Sequence, residues 1–298
     1  MATFQVETEQ HGELNCWRIT SNHAELLIAQ QGAQVLSYQR LGEPPLLWLS
    51  DQAIFRQGKS VRAGVPVCWP WFGNLQRNPQ AVQAMYQGEQ APAHGLARTH
   101  DWQLLGIEEA AEGLRIEFSL PEALGDLAGW PHEVELKLLI EMGTQLKMTL
   151  SSLNLGNDSV TISQALHSYF AVSDVRQARV EGVENLGYIE TLADWELRQQ
   201  HGTLGFAGET DRIYLQTPDL LKIVDPQWNR RITLHATGSR SAVIWNPWTD
   251  RARELADMAD DGWQRMLCIE TANVWDDVVT LAPGASHPLS VTITSEAL

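Results

Sequence analysis

Disulfide chemistry has little to work with in this chain, because Cys16, Cys68 and Cys268 are its only cysteines, widely spaced and without a CxxC pair. They read as buried, reduced thiols rather than a disulfide framework or a zinc site. Positive charge is scarce too: 21 Lys and Arg face 37 Asp and Glu, a net charge of −16 over 298 residues. So acidic a surface repels phosphate backbones, which excludes nucleic acid as a partner and makes each arginine in a motif informative. No apolar run approaches membrane-spanning length, and Met1–Glu7 shows no basic stretch leading into an apolar one. The expectation is a soluble, cytoplasmic, monomeric protein with neither membrane nor nucleic-acid partners.

Several motifs are missing as well. There is no HExxH, no pair of histidines at i,i+4 and no Asp-rich calcium loop, so no metal is expected. The absence of GxxxxGK[ST] and GxGxxG argues against a nucleotide cofactor, and no GxSxG serine elbow occurs. Helical periodicity is nearly absent; 193–200 and 251–258 are the only short helix candidates. No repeat, low-complexity stretch or linker divides the chain.

What is present is a long series of short β-type segments. Three fall in 14–19, 24–29 and 33–38, separated by turn residues, and 114–120 alternates apolar and polar residues cleanly. Segments 133–141 and 146–155, parted by Met142-Gly143-Thr144, predict a long hairpin. Further strands are expected in 161–172, 213–215, 221–224, 231–235, 242–245, 266–269, 278–281 and 289–294. A hydrophobic share of 44% supports a substantial core. The pattern predicts one all-β domain over 1–298, with two large antiparallel sheets packed face to face and few short helices.

One stretch fits neither period. Val61-Arg62-Ala63-Gly64-Val65-Pro66-Val67-Cys68-Trp69-Pro70-Trp71-Phe72-Gly73, followed by His94-Gly95-Leu96-Ala97-Arg98, concentrates cations, aromatics, prolines and glycines. A rigid loop of this kind suits a ligand-pocket wall, and equally a loop whose tryptophans plug the core. His167 lies in the apolar run Ala165-Leu166-His167-Ser168-Tyr169-Phe170, and Glu270 follows the apolar Met266-Leu267-Cys268-Ile269. Taken alone, each is either a satisfied core residue or an acid–base group. Glu209-Thr210-Asp211-Arg212 enters a strand as a polar turn, and Trp245-Asn246-Pro247-Trp248 could present a flat face to a sugar ring. One histidine, one or two carboxylates, two arginines and many aromatics point to acid–base chemistry on a polar ring compound.

Taken together and in order, these motifs resemble those of the glucose-6-phosphate 1-epimerases, a branch of the aldose 1-epimerase, or galactose mutarotase-like, superfamily. The likeness covers nearly the whole chain. It implies a β-supersandwich and interconversion of the α and β anomers of D-glucose 6-phosphate, without metal or cofactor. Carried over by position, His167 matches the general acid and Glu270 the general base. Arg62, Arg98 and Asp211 match substrate-binding positions, with His94 near the sugar. Arg62 and Arg98 are expected to hold the 6-phosphate, and Trp71 and Trp245 to cover the ring. Two positions depart from the family pattern: Ala93 stands where some members have Gln before His-Gly, and Ala63 replaces the first glycine of the usual RGG. The alternatives are an epimerase of unphosphorylated aldoses, a non-catalytic carbohydrate-binding or regulatory protein, and a glycosidase using Asp211 and Glu270 as paired carboxylates.

Overall fold

A computed structural model of the chain describes residues 4–111 and 113–298; residues 1–3, which belong to the stretch read for targeting signals, lie outside it. Strands Phe4–His11, Leu14–Ser21, Ala24–Ala29 and Val35–Arg40 form a four-stranded antiparallel meander. Most of the remaining strands fall into two large antiparallel sheets of eight and nine strands. The nine-stranded sheet is centred on Val134–Gly143, Leu146–Asn154 and Ser286–Ala297. The expected hairpin is the first pair of these, and its residues alternate buried and half-buried along nearly their full length. That alternation keeps one face of the sheet in the core. The main core cluster draws on the meander and on both large sheets, from Leu26 and Tyr38 through Leu138 and Leu150 to Tyr214 and Ile269. This is the all-β supersandwich. No helix among the described residues is long and apolar enough to cross a membrane.

The eight-stranded sheet carries the chemistry-bearing residues. Its central path runs Gly187–Glu190, Thr210–Leu215, Ser241–Asn246, Met266–Asn273, Gln164–Leu166 and Val67–Cys68. The segment expected as one strand over 161–172 is broken into Val160–Ile162, Gln164–Leu166 and Tyr169–Ala171. His167 sits in the second break, its backbone N–H donating to Pro66 O at 3.0 Å.

Both helix expectations need correction. Region 193–200 is a turn followed by the strand Glu196–Gln199, which pairs with Gly187–Glu190 at the sheet edge. Its Ala, Glu, Leu, Arg and Gln favour a helix. However, Asp194 and Trp195 take φ values of 50° and 61°, and open edge pairing overrides propensity. The second helix is Trp248–Glu254, shifted toward the N-terminus of the expected 251–258. Asn246 Oδ1 accepts from Trp248 N at 3.0 Å and sets its start, and Leu255 is already extended.

Candidate active site

Antiparallel register brings distant residues onto one sheet face. Glu270 lies opposite Val243, Trp245 opposite Cys268, and Asp211 opposite Trp245. Leu166 pairs with Thr271, so the chain delivers His167 next to Glu270. The result is a cavity of about 520 Å³ with His167 and Glu270 in its lining. His167 Nε2 is 3.3 Å from Glu270 Oε1, with side-chain exposures of 10% and 2%. His167 Nδ1 and Glu270 Oε2 are buried without a hydrogen-bond partner. A buried polar atom left unpaired costs about 1–3 kcal/mol. Two such atoms, one on each member of a pair lining the cavity, are open to a ligand or to water.

Electrostatics follow from burial. Desolvation, with the positive charges of Arg98 and Arg62, pushes the His167 pKa down to about 3. Desolvation and the neighbouring Asp211 raise Glu270 well above the carboxylate range, with Arg98 opposing. Both shifts favour the uncharged form of the pair, with the shared proton on Glu270 rather than on His167. Moving that proton to His167 gives a carboxylate and an imidazolium with no exchange with solvent.

The rings around the pair fix its orientation. Tyr169 stacks on His167 at 4.8 Å and 11°, and Trp245 meets it edge-on at 6.4 Å and 79°. His94 faces His167 at 5.5 Å and 62°. Gly73 N donates to His94 Nδ1 at 3.3 Å, which leaves the His94 proton on Nε2. Burial, then Arg98, His167 and Arg62, hold His94 neutral. Gly95 secures this loop: with φ 75°, a Cβ there would lie 2.2 Å from Trp69 O.

Arg62, Arg77, Arg98 and Arg251 line the cavity together with Glu209, Asp211, Asp257 and Glu270. In a chain of net charge −16, a cavity with as many arginines as carboxylates is locally electropositive by comparison. Arg62 Nε donates to Asp257 Oδ1 at 2.7 Å and its Nη1 donates to Tyr169 Oη at 3.2 Å. Arg98 Nη2 donates to Ala93 O at 2.6 Å. Asp211 is raised by burial, with Thr191 opposing.

Of the residues singled out from sequence, Arg62, His94, Arg98, His167, Asp211, Trp245 and Glu270 all line this cavity. Trp71 does not. It is 1% exposed, donates from Nε1 to Pro92 O at 2.9 Å and packs edge-on against Tyr86. The neighbouring Phe72 faces the cavity instead. Trp71 is thus a core plug, as is Trp69, fully buried and packed edge-on against Trp130.

Tyr169, Asp257, Arg77, Trp195 and Trp275 also line the cavity but were not singled out from sequence. Tyr169 stands two residues after His167 in the same apolar run, a usable signal; the others come from irregular segments that carry none. His167, Cys268 and Glu270 offer ligand atoms within 4.8 Å of one another, the donor set of a metal site. Burial raises the Cys268 thiol well above its usual range.

The description of the aldose 1-epimerase family matches residues 15–294. A protein of Escherichia coli (strain K12), provisionally named glucose-6-phosphate 1-epimerase, is 35% identical over 245 residues, 82% of this chain and 78% of the relative. A protein of Cenchrus ciliaris with the same provisional name is 33% identical over 264 residues, 85% and 76% of the two chains. A crystal structure from Salmonella typhimurium, provisionally described as a mutarotase, superposes with a TM-score of 0.88 at 28% identity, covering 98% of this chain and 94% of that one. With the match spanning almost every strand described above, the chain belongs to the aldose 1-epimerase family.

Proposed function

We propose that the chain is a hexose-6-phosphate mutarotase, interconverting the α and β anomers of D-glucose 6-phosphate by acid–base ring opening and reclosure. The observation that carries this is the His167–Glu270 contact of 3.3 Å in a cavity wall. Mutarotation needs one proton taken from the anomeric hydroxyl and one given to the ring oxygen. In the carboxylate–imidazolium form of the pair, Glu270 takes the proton from O1 and His167 gives its proton to O5. The C1–O5 bond breaks and C1 becomes an aldehyde. After rotation about C1–C2, O5 attacks the other face, His167 recovers its proton and Glu270 returns its own. Protons balance over the cycle. Each group supplies about 10²–10⁴-fold, so the two together lower the barrier by roughly 5–11 kcal/mol if independent.

Support for a phosphorylated substrate comes from the arginines of the cavity and from the names of the relatives. Trp245 and Tyr169 offer apolar faces to the sugar's C–H groups. The test is to dissolve one pure anomer of glucose 6-phosphate and follow the anomeric proton by NMR, with glucose in parallel. Acceleration of the phosphate ester well above that of glucose is expected. Equal or better use of glucose would identify an epimerase of unphosphorylated aldoses. Binding without acceleration of either would identify a non-catalytic carbohydrate-binding protein.

A further inference from the structure

The two ends of the cavity are built from different chemistry. Along Met266–Asn273, alternation puts Cys268, Glu270 and Ala272 on one face, successive members about 6.6 Å apart. At the Cys268 end stand Trp245 and Asp211, paired across the sheet, and Arg62 lies over the Trp245 ring. Arg62 is already engaged by Asp257 and Tyr169, so this end presents a near-neutral pair to any ligand. At the Ala272 end the strands bring Ala165 and Cys68 alongside, and Phe72, Trp195 and Trp275 pack against that cluster. Arg98 follows on the loop of His94, whose Nδ1 lies 3.4 Å from Cys68 Sγ and whose ring meets Phe72 edge-on at 4.8 Å, which ties that loop to this end.

Arg77 completes it. Its guanidinium lies 5.3 Å over Trp195, which in turn stacks on Trp275 at 5.8 Å and 19°. Neither Arg77 nor Arg98 forms an ion pair among the described residues, although acids outnumber bases 37 to 21 in the chain. Trp195 and Trp275 have φ of 61° and 59°, a left-handed region that bulky residues rarely adopt. Strain of this kind persists only where surrounding structure imposes it, and clusters at ligand clamps.

The turn that carries Arg77 is also pinned. Asn74 Oδ1 caps Gln76 N at 2.9 Å, and Asn78 Nδ2 donates to Phe72 O at 2.8 Å. Ser163, fully buried, donates to Asn78 Oδ1 and accepts from Phe72 N, tying the turn to the strand that leads into His167. Gly73 and His94 exchange hydrogen bonds, so the loops bearing Arg77 and Arg98 are joined at their base.

We propose that Arg77 and Arg98 together form the subsite for the phosphate ester of the substrate, with the Trp195–Trp275 stack positioning Arg77, and that Arg62 serves the sugar. The assignment rests on the sugar-phosphate reading above and shifts one phosphate ligand from Arg62, as expected from sequence, to Arg77. Two guanidiniums without carboxylate partners suit a dianion; a guanidinium already neutralised by Asp257 does not. Because a phosphate held equally in ground and transition states is uniform binding, its loss acts on KM and spares kcat.

Arg77→Ala and Arg98→Ala are compared with the native protein in kinetics on glucose 6-phosphate and glucose, and in calorimetric titration with inorganic phosphate. Arg77→Ala is expected to raise KM for glucose 6-phosphate about tenfold or more, with kcat within about twofold and KM for glucose unchanged. Phosphate affinity should fall in parallel, and Arg77→Lys should restore part of it. Trp195→Ala should reproduce a fraction of the loss that Trp195→Phe does not. Phosphate affinity and KM unchanged in Arg77→Ala, with both altered in Arg98→Ala, would overturn the assignment. If the native protein does not turn over glucose 6-phosphate, the mutarotase reading falls, while the phosphate titration still decides whether Arg77 binds the anion.

Discussion

Glu270→Gln is the sharpest perturbation available. Glu270 is 1% exposed, and glutamine has its shape, so the fold should persist. What disappears is the atom proposed to accept and return the anomeric proton. A positioned acid–base group contributes about 10²–10⁴-fold, so kcat should fall by that factor, or about 3–5 kcal/mol in barrier. Stability should move the other way. The Glu270 pKa lies well above its ordinary 4.5 in the fold. Its contribution to stability is therefore fully present below 4.5 and is lost as pH rises through the folded value. Removing the group should raise the melting temperature at pH 8 by about 2–4 °C for each kcal/mol relieved, and the gain should vanish toward pH 4.5. Anomerisation by NMR and paired thermal melts across pH measure both. A variant within tenfold of native activity, or a melting-temperature gain that does not shrink on acidification, would refute the account of this carboxyl.

Three further predictions follow from the same geometry. Because burial and two arginines push His167 down to about 3 and hold His94 neutral, kcat should show no break near the ordinary histidine value of 6.5; one that disappears in His167→Gln would contradict this. Trp71→Phe deletes the hydrogen bond to Pro92 O and some core volume, and should cost about 1–3 kcal/mol in denaturant melts with KM unchanged. Gly95→Ala places a methyl 2.2 Å from Trp69 O at a φ of 75°. It should destabilise by more than about 1 kcal/mol and raise KM, since His94 and Arg98 share its loop.

The strands of this fold were legible where one face is buried. Val134–Gly143 and Leu146–Asn154 alternate along nearly their whole length, and period-two burial is a signal readable from the residues alone. His167 and Glu270 were legible because a charged or polar group inside an apolar run demands an explanation. Tryptophans next to each other in sequence were not separable: Trp71 turns into the core and Phe72 toward the cavity, a difference of backbone direction within an irregular loop. Trp195 was hidden inside a segment whose composition favours a helix, whereas edge pairing with Gly187–Glu190 decides its conformation. Asp257 and Arg77 sit in loops and a short turn, where no period exists to assign them a side.

Glu270 rides on the strand Met266–Asn273, and His167 hangs between two short strands that both pair with it, Gln164–Leu166 and Tyr169–Ala171. The two groups proposed to move protons are thus mounted on a single hydrogen-bonded ladder, while the arginines lining the cavity come from the segments around it. Grafting the 73–92 excursion, which carries Arg77, from a relative should therefore change how tightly a phosphate ester is held while the proton-transfer hardware stays in working order.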